Sequence, residues 1–161
     1  MSEIFTPQNG EDSNDDRPRL VLDTNTVLAL WMFRDPKLEA LRGWIEAGRC
    51  RLYSREDALE ELRRVLAYRQ FGLDEATQTA LQADYRRRLA PWSPPPLGET
   101  EQRISALPRC HDKDDQKFLE IASLSNAETV VTRDKALLRL ARHRQIRELF
   151  RVLPPEMFYA S

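Results

Sequence analysis

The chain has 161 residues and a formal net charge of −1, with 41% apolar and 32% charged residues. That balance suits one folded domain with one core, and it carries no overall positive charge to draw a polyanion. No apolar run reaches the ~18 residues of a transmembrane helix, so no membrane is expected among the partners. The two cysteines, Cys50 and Cys110, are far apart, with no CxxC and no His–Cys cluster; this suggests no disulfide framework, and it argues against zinc.

The opening "MSEIFTPQNGEDSNDDRPR" is polar and acidic, with neither the basic nor the apolar region of a secretory signal. It predicts a flexible tail over residues 1–18, a single domain over 19–161 and a cytoplasmic protein with reduced thiols. Short apolar, often β-branched runs predict strands at 19–23, 49–54, 127–132 and 150–153. Helical patterns fall between them. One spans 36–47, with Asp35 as cap, Pro36 at its first position and Gly48 after it. Ser54 is placed to cap a second over 55–68. A third covers 74–89, and "APWSPPPLGET" (90–100) reads as a Pro-rich loop. Helices over 114–125 and 134–143 follow. Strands alternating with helices imply a parallel α/β sheet with helices on both faces. Of the 25 basic residues only four are Lys and 21 are Arg. Arg makes bidentate contacts to phosphate, but Arg clusters such as "YRRRL" and "RLARHRQIR" also suit solvated helix faces.

"RLVLDTNTVLALW" raises a chemical question: an apolar strand, Leu20–Val21–Leu22, stops at Asp23. Ligands in such sheets sit at the carboxyl ends of strands. Asp134 in "VVTRD" follows a strand in the same way, and Asp112, Asp114 and Asp115 in "CHDKDDQKFLEIA" open a helix on the same edge. Each alone is explained as a helix cap. Periodicity separates them. Asp115, Phe118, Leu119 and Ala122 form one inward stripe, and an inward carboxylate is costly without a partner. In "REDALEELRRVLAYRQ", Glu61 flanks the apolar face, whereas Glu60 lies on the solvent side and is placed to pair with Arg64. Asp23, Glu61, Asp115 and Asp134 are therefore expected to converge with no cation of the chain among them. A divalent ion relieves that repulsion, and oxygen ligands select Mg²⁺ or Mn²⁺.

The motifs "LVLDTN", "EELRRVL", "CHDKDDQKFLEIA" and "VVTRDKALL", in that order and spacing, resemble the PIN-domain ribonucleases, close to the toxins (VapC-like) of bacterial toxin–antitoxin pairs. The resemblance implies a three-layer α/β/α, Rossmann-like fold around a parallel sheet of about four to five strands. It implies an Mg²⁺- or Mn²⁺-dependent endonuclease acting on single-stranded RNA, with a small antitoxin protein and a second copy of the chain as partners. Asp23, Glu61, Asp115 and Asp134 take the catalytic and metal-binding positions. Asn25 and Thr132 take the polar positions that orient carboxylates or water, and Asp112 matches a further acid. Arg133 stands where relatives often carry Gly. The alternatives are a housekeeping nuclease of RNA processing and a PIN-like binding module without activity.

Overall fold

The computed structural model of the chain describes residues 15–160. Most of the segment expected to be a tail, residues 1–14, lies outside the described residues. Four parallel strands form the sheet: β1 (Arg19–Leu22), β2 (Arg51–Leu52), β3 (Thr129–Val131) and β4 (Arg151–Leu153), in the order β2-β1-β3-β4. Each lies within a stretch that the sequence predicts as a strand.

Side chains alternate across a strand, so Leu20 and Leu22 join one apolar cluster while Val21 joins the other. Both faces of the central strands are therefore buried, which is why they read as unbroken apolar runs. On the first face lie α1 (Thr24–Val27), α2 (Glu39–Glu46), α3 (Glu56–Leu66) and α4 (Glu75–Arg88). On the second lies α6 (Gln116–Ser125), with α5 (Leu97–Ala106) packed beside it. Short helices α7 (Lys135–Arg139) and α8 (Arg144–Arg147) lead to β4, and α9 (Pro155–Ala160) follows it. This is a three-layer α/β/α arrangement. Among the described residues no helix is long and apolar enough to cross a membrane.

Local chemistry explains the boundaries. Asp35 accepts the Lys37 N–H, and Pro36–Leu38 forms a 3-10 turn before α2. Gly48 follows α2 with φ +76°, a conformation that costs other residues more. Asp74 caps α4 by accepting the Thr77 N–H at 2.7 Å. Leu38, Leu41 and Ile45 are buried, and Trp44 packs against Phe158 at 5.8 Å between ring centres. Cys50 and Cys110 are free and buried, and burial pushes the Cys50 thiol up to about 11.

Several elements differ from expectation. Ser54 does not cap α3; Arg55 holds the N-cap position in an extended conformation, and its guanidinium is occupied by Asp57 and Glu120. Glu60 pairs with Arg63, three residues on, instead of Arg64. The Pro-rich stretch is shorter than expected, because α5 begins at Leu97. Thr100 anchors that start through Pro95 and Pro96 carbonyls at 2.8 and 2.9 Å. After β1, α1 runs into a π-helical turn, Leu28–Met32, where the Phe33 N–H reaches the Leu28 carbonyl at 2.8 Å. The stretch 134–143 divides into α7 and a 3-10 turn, Leu140–Arg142.

Candidate active site

The chain crosses from β2 on one side of β1 to β3 on the other, and a crevice opens outside such a reversal. Asp23 follows β1 at that point. It is 3% exposed, and its carboxylate is held at both oxygens. Oδ1 accepts the Thr26 N–H at 2.9 Å and Oδ2 accepts the Thr132 hydroxyl at 2.5 Å. The same Thr132 oxygen accepts the Asp134 N–H at 2.9 Å. One hydroxyl thus ties the ends of β1 and β3. Asp134 caps α7, with Oδ1 accepting the Ala136 and Leu137 N–H groups at 2.8 and 3.2 Å.

Asp115 ends the 3-10 turn Lys113–Asp115 before α6. Its Oδ2 is buried without a hydrogen-bond partner. Burial, and then the charges of Asp134, Asp112 and Asp23, push its carboxyl up to about 7. Asp23 is raised too, by burial first and with a contribution from Asp134, against the hydrogen bonds of Thr132 and Thr26. Asp23, Asp115 and Asp134 therefore feel one another's charge across the crevice.

Glu61, on α3, has a different neighbourhood. Thr24 donates its hydroxyl to Glu61 Oε1 at 2.6 Å, and Lys117 Nζ stands 3.5 Å from the same oxygen. The expectation that no cation of the chain sits among the four acids is corrected here. Lys117 lies on α6 two residues beyond Asp115; its ammonium stands over the Phe118 ring, 5.2 Å from the ring centre, and reaches across to α3. Asp112 is exposed and caps its own turn by accepting the Asp114 N–H at 2.9 Å. Asn25 is exposed on α1 and, among the described residues, makes no side-chain hydrogen bond. Thr24, which donates to Glu61, and Thr26, whose N–H donates to Asp23, are contacts that sequence reasoning did not single out. Their spacing on the turn that follows β1 was the available signal, since i and i+2 there flank the strand end.

Arg133 does not project freely into the crevice. Its guanidinium pairs with Asp35 at 2.9 Å and with Glu156 of α9 at 2.7 Å.

Among the described residues no three His, Cys, Asp or Glu side chains are grouped closely enough to hold one ion as they stand. The donor chemistry still suits a hard cation at Asp23, Asp115 and Asp134. All donors are oxygens, one of them is a buried orphan, and burial, then the neighbouring carboxylates, push the Asp115 carboxyl up to about 7. Glu61 is committed to Thr24 and Lys117.

No curated protein matches the chain. A family model described as PIN domain matches residues 19–136, which takes in β1 to β3 and Asp23, Glu61, Asp112, Asp115 and Asp134. PIN domains are generally nucleases, and they commonly use divalent metal ions. With the matched residues spanning most of its length and carrying the strand-end acids, the chain belongs to the PIN-domain family.

Proposed function

We propose that the chain is a divalent-metal-dependent endoribonuclease acting on single-stranded RNA, and that it is the toxin of a toxin–antitoxin pair. The observation that carries the nuclease reading is Asp115: a carboxyl pushed up to about 7, with a buried orphan oxygen, facing Asp134 and Asp23. Such a group resists ionising in the bare site and is relieved by a cation, so metal binding there releases a proton. The toxin assignment and the choice of RNA rest on the resemblance of the motifs.

Mg²⁺ or Mn²⁺, when bound, supplies positive charge for the scissile phosphate and lowers the pKa of the attacking water. Asp23, Asp115 and Asp134 would hold it, with Glu61 joining once released by Lys117. Asp115 Oδ2 accepts the water proton as the water oxygen bonds to phosphorus. The phosphorus–oxygen bond to the adjoining nucleotide breaks, and that oxygen takes a proton from solvent. Thr132 donates to Asp23, which opposes the upward push of burial on that carboxyl, and fixes the Asp134 backbone through its oxygen. Asp112 shapes the turn that presents Asp115. Asn25, exposed at the mouth, is available to the substrate. A small antitoxin protein and a second copy of the chain are the proposed partners, in the cytoplasm.

Purified protein is incubated with end-labelled single-stranded RNA and Mn²⁺, with EDTA and Asp115→Asn as controls. Metal-dependent cleavage that the variant loses is expected. Cleavage by Asp115→Asn at the wild-type rate would overturn the reading, and metal-independent RNA binding without cleavage would favour an inactive binding module.

A further inference from the structure

Beside the acids, a cleft of about 810 Å³ opens between the start of α3 and the segment that leads into α6. Asp23, Asp115 and Asp134 do not line it, but Asp114 and Gln116, the sequence neighbours of Asp115, do, and Lys117 on its lining stands 3.5 Å from Glu61 Oε1. The charges in it do not cancel. Arg55 is used up by Asp57 and Glu120, at 2.8 and 2.9 Å. Arg64, Arg109 and Lys113 are exposed and, among the described residues, make no ion pair. Over the whole lining, the cations Arg55, Arg64, Arg109, Lys113 and Lys117 outnumber the acids Asp57, Asp114 and Glu120. His111 supplies the one flat ring on the wall. The chain as a whole is slightly acidic, so this local excess of cations is a property of the cleft and not of the surface at large.

A basic groove with few aromatic faces tracks a phosphate backbone without reading its bases. Arg gives two parallel donors to a phosphate, and Lys acts as a point charge. We infer that the cleft holds the single-stranded phosphodiester backbone flanking the scissile bond, through Arg64, Arg109 and Lys113. The inference rests on the nuclease reading for the identity of the strand, but not on its chemistry. The strand enters over cations and arrives at the acids, so binding energy from the flanking nucleotides holds a polyanion against the carboxylates. The Arg-rich clusters on α4 and around α7 and α8 take no part in this track.

The test is fluorescence anisotropy in EDTA, where no metal-dependent cleavage occurs, with a labelled oligouridine and a DNA strand of the same length as probes. Each phosphate contact contributes ~0.7 to the salt slope of a single strand. The triple variant Arg64→Ala, Arg109→Ala, Lys113→Ala is expected to lose ~2 from that slope and to bind roughly 100-fold more weakly at 0.1 M salt. A second triple variant, Arg139→Ala, Arg142→Ala, Arg144→Ala, removes the same charge from another surface and is expected to bind like wild type. Asp23→Asn is expected to bind at least as well as wild type. Equal retention of RNA and DNA assigns the phosphates alone, and tighter binding of RNA adds a contact to the sugar; both support the cleft. Wild-type affinity in the first triple variant, an equal loss in the second, or no salt-dependent binding by wild type would overturn it. Failure of cleavage with this pattern of binding intact would sink the nuclease reading and leave the cleft standing.

Discussion

The hydroxyl of Thr132 stands 2.5 Å from Asp23 Oδ2, joining residues 109 apart in the chain at the tips of two adjacent strands. Both residues are buried, at 0% and 3% exposure, so neither has water to replace the other. Thr132→Val keeps the shape and removes the donor. It is expected to cost about 1–3 kcal/mol in urea unfolding, since a buried carboxylate oxygen loses its partner. Cleavage is expected to fall by ~10–100-fold, the usual scale for residues that orient ligands. Thr132→Ser is expected to restore most of both. A valine variant as active and as stable as wild type would show that the hydroxyl has neither role.

Asp115 gives a pH dependence whose sign follows from its direction of shift. Burial, and then Asp134, Asp112 and Asp23, raise its carboxyl to about 7, so between roughly pH 4 and pH 7 the folded chain holds a proton that the unfolded chain releases. The stability this group lends is complete below the unfolded value and is lost as pH rises through about 7. In EDTA at pH 8, Asp115→Asn is therefore expected to be more stable than wild type. The gain is roughly 1–2 kcal/mol, once solvent screening of a partly exposed group is allowed for. Near pH 4 the difference is expected to shrink. Denaturation curves at the two pH values check it, and a variant that is less stable at pH 8 would contradict it.

Lys117 competes with any cation for Glu61. Replacing it as Lys117→Met keeps a long unbranched side chain and removes the charge that stands over Phe118 and 3.5 Å from Glu61 Oε1. Calorimetric titration with Mn²⁺ is expected to show binding tighter by roughly two- to fivefold, the scale of a partly exposed ion pair. Weaker binding would mean that the ammonium holds Glu61 in a productive position and does not block it.

Arg133 joins the loop before Asp134 to Asp35 and to Glu156 of α9. A double-mutant cycle of Arg133→Ala and Glu156→Gln is expected to give a coupling of about 0.5–1 kcal/mol in thermal or urea unfolding, as the pair is about a third exposed. A coupling of zero would make the contact incidental.

How much of this was legible beforehand differs by element. The central strands β1 and β3 were, because burial on both faces writes an apolar run that no helix period disguises; the edge strands β2 and β4 showed as short β-branched or apolar runs between helical patterns. Asp23, Asp115 and Asp134 were, because strand ends and an inward stripe are local properties. The π-helical turn after α1 was not, since Leu28–Met32 is apolar all round and carries no period. The cap of α3 was misread because Ser54 matches the composition of a cap, while the competing pull of Asp57 and Glu120 on Arg55 spans 65 residues to α6. Lys117 was missed for the same reason. Its partner on α3 is distant in sequence, and only the packing of α3 against α6 brings them together.

The order of strands has a consequence for how the protein is made. β1 is central, and one of its neighbours, β3, arrives more than a hundred residues after it. At ~5–20 residues per second, roughly 5–22 s separate the synthesis of Asp23 from that of Thr132. During that interval the first acid is already on the chain while the strand carrying its partner hydroxyl does not yet exist. Non-local pairing of this kind also slows folding once the chain is complete. The ribosome therefore carries an unassembled crevice throughout that interval, and assembly is timed by the arrival of β3.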